Sequence, residues 1–338
     1  MAAGGLTPPG LGPAALEADG LFDRIRAACA GVADRAALVA IDEEALDRLA
    51  DDVLYDIGPG VAEAEPPLMP EERPSGTSAE DLAAEVLAWN AVNFGSGWFP
   101  QVRKRPGLSG ARSLASAFGD HVRRHGPPTV DWLVGVDAAA CGELFDQPHP
   151  GPVDDLLELF AQAWNDLGRL LGDGRFGGSA AALVRSAGGS AERLAATLAT
   201  MPLAQDVSRH AGAEVPLLKR AQITASHLAR AAGGRGVGWF TDLDRVTAFA
   251  DNLVPHTLRM AGVLRYDAEL ADRIARGELL TSGEAAEVEI RACGVHAVEL
   301  LAASTGLAPA TLDHYLWQAG QDPAVKVVPR HRCRTPWY

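Results

Sequence analysis

A mostly α-helical fold, gathered into a single compact unit with at most a few short β segments, is what this sequence predicts, and three observations predict it. Apolar residues recur at spacings of three and four along most of the 338 residues, the period of one helix face. Two helix-start signatures precede such runs. Strict alternation of apolar and polar residues, the mark of a half-buried strand, is nearly absent.

Residues 1–13, rich in Gly, Pro and Ala without periodicity, read as a disordered tail, and residues 14–338 as the folded domain. LEADGLFDRIRAACAGV at 16–32 opens the helical pattern. GPGVAEAEPPLMPEERPSGTS at 58–78 carries too much proline for a regular element and reads as a surface loop. Ser78 with Asp81 resembles a capping box ahead of DLAAEVLAWNAV, and the pattern resumes in DDLLELFAQAWNDLGRLL at 154–171 and AERLAATLATM at 191–201. Thr281 with Glu284 resembles a second capping box ahead of EVEIRACGVHAVELLAAS. VKVVP at 325–329 is the best strand candidate. No repeat with a period of roughly 20–50 residues is present, and no linker divides the chain after residue 80.

The hydrophobic fraction of 47% supplies a core. No apolar run approaches the roughly 18 residues that span a bilayer. The first residues lack the basic start and apolar stretch of a signal peptide, so a cytoplasmic protein without membrane contact is expected. Cys29, Cys141, Cys293 and Cys333 are scattered and form no CxxC, which points to reduced thiols rather than a disulfide framework. A net charge of −14 repels a nucleic-acid duplex, although one pocket with a few cations can still hold a small phosphorylated ligand.

Several chemistry-like signals have plainer readings. His121 and His125 share a helix face, yet HVRRH has no third ligand for zinc, and no metal or cofactor is expected. FGGSAAALV at 176–184 suits an anion at a helix start, or a turn with a serine cap. TDLD at 241–244 lacks the further oxygen ligands of a calcium loop and is expected to cap the helix carrying Asp251. No GxSxG, P-loop or dinucleotide fingerprint occurs.

Two charges break local rules. In TAFADNLVPH at 247–256, a helix is expected to end or kink before Pro255, which puts Asp251 at the negative end of the helix dipole. In EVPLLKRAQITASHL, Pro216 is expected to be the first helical residue, so Lys219 falls in a first turn, where the dipole disfavours a cation. Such exceptions gather at functional sites, and each charge would offset the other in a shared pocket. Solvated surface charge is the plain alternative.

The ordered motifs KRAQ, FAD, GVLRYD, EVEIRAC, LDHYLW and the closing HRCRTPWY, spread over roughly residues 80–338, resemble the queuosine salvage protein family. NFGSGWFP at 93–100 is similar to that family's aromatic Asn-Phe segment, with extra glycines. The resemblance implies a helical fold similar to DNA glycosylases. It also implies hydrolysis of queuosine 5′-phosphate, a small-molecule substrate, to queuine and ribose 5-phosphate. A monomer with no direct nucleic-acid partner is expected. An inactive helical module that keeps the fold to present queuine or a partner is the alternative, which loss of the Asp or Lys would favour. By resemblance Asp251 is the catalytic carboxylate, Lys219 shares its site, Phe249 lies against the base and Asp313 contacts the ligand. Gln318 stands where relatives can carry a second acid, and His256 closes the same stretch as Asp251. Queuine carries a cationic amine tail that Asp313 and Asp242 would suit, Trp98 offers a flat face, and Lys219, Arg332 and Arg334 are candidates for the phosphate. Glu287, Glu289 and Arg291 read instead as an internal ion-pair group on one helix.

Overall fold

The computed structural model describes residues 19–57 and 77–338, so the expected tail at 1–13 and nearly all of the 58–78 loop lie outside the described residues. Helices dominate, as the spacing predicts, with six short strands among the described residues. The 21-residue helix Ala285–Thr305 is the axis, with Val288, Ile290, Val295, Val298 and Leu301 all buried. Burial on every side of this helix, with its buried Glu287, Glu289 and Arg291 all partnered, places it inside the protein. Leu21–Ala33, Glu43–Ile57, Val254–Met260 and Pro309–Ala319 surround it. A second group gathers Ala79–Ala91, Asp154–Leu171 and Ala180–Ser186. There Phe145 stacks on Trp164 at 5.5 Å between centroids, and the Trp164 indole N–H donates to the Ala88 carbonyl at 2.8 Å. Helix Lys219–Ala231 packs against this second group, with its first residue at the junction of the two.

The strands form three two-stranded sheets. Val39–Ile41 pairs antiparallel with Leu264–Tyr266, Val207–His210 antiparallel with Ala213–Pro216, and Leu279–Leu280 parallel with Arg332–Cys333. The third pair brings the HRCR segment beside the start of the axial helix. Gly97 is required there, because a Cβ would stand 2.3 Å from the Cys333 carbonyl oxygen. No single helix among the described residues is long and apolar enough to cross a membrane.

Three local expectations need correction. VKVVP forms no strand: Asp322 caps a short helix, Pro323–Lys326, that consumes its first residues. The Ser78 cap is present, its Oγ accepting from the Asp81 N–H at 3.0 Å. Thr281 and Glu284 make no such box, because the Glu284 carboxylate turns away to Arg273 at 3.0 Å. Pro216 ends a strand, and its helix starts at Lys219.

Candidate active site

A cavity of about 880 Å³ opens between the two helix groups, a size suited to a nucleotide-sized ligand. Its walls come from the 93–111 segment, one face of helix Lys219–Ala231 along its length, the 240–253 segment, helix Pro309–Ala319 and the 326–338 segment. Lys219, Phe249, Asp251, Asp313 and Arg332 all line it.

Asp251 lies in a loop, not in the last turn of a helix. Pro255 starts a helix here instead of ending one, and Asp251 Oδ1 accepts from the N–H groups of Leu253 at 2.8 Å and Val254 at 2.9 Å. The carboxylate is therefore at the positive end of the Val254–Met260 dipole, which corrects the expected polarity. Oδ2 has no hydrogen-bond partner among the described residues.

Lys219 is the first residue of its helix and is buried. Its Nζ donates to the Asn93 carbonyl at 3.0 Å. Burial lowers its pKa to about 8, against the opposing pull of the Asp251 charge. Asp313 is also buried, and Oδ1 accepts from the Phe249 N–H at 2.8 Å. Burial first, and then the Asp251 charge, push the Asp313 carboxyl well above the usual range despite that bond. His227, another lining residue, shares Nδ1 with Asn90 Oδ1 at 3.1 Å, and burial with the Lys219 charge brings its pKa down to about 3. Ser96 Oγ and Arg330 Nε are buried without partners among the described residues, and both residues line the cavity.

The chain has only three lysines, Lys104, Lys219 and Lys326. All three line this cavity, with Arg330 and Arg332 beside them. In a chain of net charge −14 that is a local concentration of cations.

The other sequence candidates sit elsewhere. Asp242 caps helix Ala191–Leu198: its Oδ1 accepts from the Ala191 N–H at 2.6 Å and its Oδ2 from Ser190 Oγ at 2.8 Å. It therefore does not cap a helix carrying Asp251, as expected from the sequence, and it does not line the cavity. Trp98 is buried under Arg334, which is 5.6 Å from its ring, while Arg334 bonds Asp155 at 3.2 Å and Gln101 at 2.6 Å. His256 is buried, with Nε2 donating to the Val325 carbonyl at 3.1 Å, and Gln318 lies outside the lining on helix Pro309–Ala319.

The weaker signals resolve plainly. Ser179 caps its helix, accepting from the Ala182 N–H at 3.0 Å, and the anion at that helix start is Glu80, accepting from Ala180 N–H at 2.7 Å. His121 and His125 lie 4.9 Å apart between ring centroids, and no group of three metal-binding side chains occurs among the described residues. Arg291 and Glu287 form the expected pair at 3.3 Å, but Glu289 turns to the Leu38 N–H at 2.7 Å and to His210. The main partner of Arg291 is Asp206, which no local pattern marks: two parallel bonds at 2.9 and 2.6 Å join them across 85 residues.

Comparison with known proteins gives a consistent answer. The sequence profile described as queuosine salvage protein matches residues 107–338. A protein of Sphaerobacter thermophilus named queuosine 5′-phosphate N-glycosylase/hydrolase is 32% identical over 320 residues, covering 91% of this chain and 95% of its own. Proteins of the same name from Bos taurus, 33% identical over 57% of this chain and 60% of their own length, and from Schizosaccharomyces pombe, 33% identical over 49% of each, also match. With the profile covering more than half its residues, the chain belongs to the queuosine salvage protein family.

Proposed function

We propose that this protein hydrolyses the N-glycosidic bond of queuosine 5′-phosphate, releasing queuine and ribose 5-phosphate so that the base is salvaged for tRNA modification. One observation carries the reading: Asp251 faces a nucleotide-sized, cation-lined cavity with Oδ1 fixed by two backbone donors and Oδ2 left to a ligand.

Queuine is a 7-deazapurine, so the ring nitrogen whose protonation helps an ordinary purine depart is missing. Catalysis must then fall largely on the sugar, where positive charge develops as the bond to the base breaks. A carboxylate held beside the anomeric carbon stabilises that oxocarbenium-like state, or attacks it to give a covalent intermediate that water resolves. Fixing Oδ1 orients Oδ2 before substrate arrives, and Leu253 and Val254 supply that restraint without neutralising the charge. Asp313, whose surroundings favour its protonated form, is suited to donate a hydrogen bond to the departing base. Phe249 supplies an aromatic face in the same wall. Lys104, Lys326, Arg330 and Arg332 are the cations offered to the 5′-phosphate, replacing Arg334, whose bonds point outside the cavity.

The test is incubation of purified protein with queuosine 5′-phosphate, queuosine and guanosine 5′-phosphate, with free base measured by chromatography. Queuine released fastest from the 5′-phosphate is expected. No base released from it, or release from guanosine 5′-phosphate at a similar rate, overturns the reading.

A further inference from the structure

Lys219 and Asp251 belong to segments 32 positions apart, and neither side chain bonds the other. No backbone–backbone hydrogen bond joins residues 217–222 to residues 246–252 among the described residues. Buried side chains make the hydrogen bonds that join them.

Two connections do so. Asp206 accepts the Lys219 N–H on Oδ2 at 3.1 Å, and its carbonyl accepts from Leu217 at 2.9 Å and Leu218 at 3.2 Å. The same carboxylate takes the guanidinium fork of Arg291, whose Nε donates to the Ala250 carbonyl at 2.9 Å, one residue before Asp251. One ion pair thus grips the backbone at 219 and at 250. The second connection is Gln222, whose Nε2 donates to the Leu217 carbonyl at 2.8 Å and to Thr247 Oγ1 at 3.0 Å, while its Oε1 accepts the Thr247 N–H at 3.1 Å. Asp206, Gln222, Thr247 and Arg291 are all buried. Between the grips Leu218 holds a left-handed backbone, φ 49°, a strain that persists only where the surroundings over-determine it.

We propose that Asp206, Arg291 and Gln222 are positioning residues for N-glycoside hydrolysis: they lock the start of the Lys219–Ala231 helix to the 247–251 segment and thereby set the separation of the Lys219 ammonium from the Asp251 carboxylate. This rests on the hydrolase reading above. It explains why the KRAQ, FAD and EVEIRAC motifs belong together, since Gln222 and Arg291 carry the geometry that Lys219 and Asp251 use. A misplacement of about 1 Å costs on the order of 100-fold in rate.

The test compares wild type with Arg291→Lys, Gln222→Met and Thr247→Val. Arg291→Lys keeps the charge but loses the fork, and Thr247→Val removes a single hydroxyl if a larger change prevents folding. Two readouts are taken well below each variant's melting temperature: steady-state turnover of queuosine 5′-phosphate, and NMR titration of the full chain labelled at the lysine side-chain carbons and nitrogens. The titration is read in wild type, Gln222→Met and Thr247→Val, whose three lysines are assigned from Lys104→Arg and Lys326→Arg, and Arg291→Lys, which adds a fourth lysine, is read by turnover alone. The charged groups acting on Lys219 are Asp251, Asp313, Arg220 and Arg291. The expected result is kcat reduced on the order of 10- to 100-fold with KM within about threefold, and a Lys219 titration moved down in Gln222→Met as the Asp251 charge retreats. A lowered melting temperature with kcat within about twofold and an unmoved Lys219 titration overturns the proposal and leaves these residues merely structural. Absence of turnover in the wild type sinks the hydrolase reading instead, and the titration still judges the positioning.

Discussion

Two sets of ionisable side chains lie side by side in this protein and are held in opposite ways. Asp206 and Arg291 neutralise each other directly through a bidentate pair at 2.9 and 2.6 Å, and Glu287 adds a contact to Arg291 at 3.3 Å. Lys219, Asp251 and Asp313 do not. Each of these three hydrogen-bonds neutral backbone groups, at Asn93, at Leu253 with Val254, and at Phe249. Ion pairs satisfy charge and leave none for a ligand. Backbone partners fix a side chain without an opposing charge, and the accompanying burial shows in the displaced titrations of Lys219, lowered, and Asp313, raised toward its protonated form. The paired set is frame and the unpaired set is chemistry.

The harshest way to break that division is Arg291→Met. Asp206 is then left buried without its partner, and unfolding by denaturant should show a loss of about 3–5 kcal/mol. A loss below about 1 kcal/mol would mean the ion pair holds little of the frame. Asp251→Asn should behave in the contrary way. The amide oxygen keeps both backbone donors, so stability stays within about 1 kcal/mol, nucleotide binding stays within a few-fold, and turnover falls on the order of 100- to 1000-fold. Turnover within about tenfold of wild type removes Asp251 from the mechanism.

Lys219 separates activity from stability by pH. In the folded protein it releases its proton near pH 8 instead of the usual 10.5. Between those values the unfolded chain binds the extra proton, so this group makes the protein more stable as pH rises through the window. Its cation is lost over the same range, so kcat/KM should fall above about pH 8 while the stability difference from Lys219→Met moves in favour of wild type. A flat rate profile to high pH would show that the charge is dispensable. The smallest effect is expected at Asp242→Ala, which removes a helix cap worth about 1 kcal/mol and leaves turnover alone, since Asp242 faces helix Ala191–Leu198. A drop in turnover would return it to the site.

The helical class and the boundaries of long amphipathic helices were legible because period and capping are local. Ser78 illustrates it. Asp251 was legible as a misfit, but the reason assigned to it was reversed, because a proline marks a helix end and a helix start equally well to a local reading. Lys219 was found on firmer ground, since the first turn is where it sits. Asp206 and Arg330 could not be found that way: each gains meaning from partners or a cavity assembled by segments far apart in the chain. Trp98 packs beneath Arg334 and not on the cavity wall, since an aromatic ring in a motif packs as readily beneath a neighbour as against a ligand.

The placement of all three lysines around one cavity has an analytical consequence. Apart from the α-amine, every primary amine on the molecule borders the place where substrate is proposed to bind. A reagent that acylates amines and ignores guanidinium groups therefore becomes a footprinting agent: the mass added to the intact chain, with and without nucleotide, counts the amines that occupancy shields.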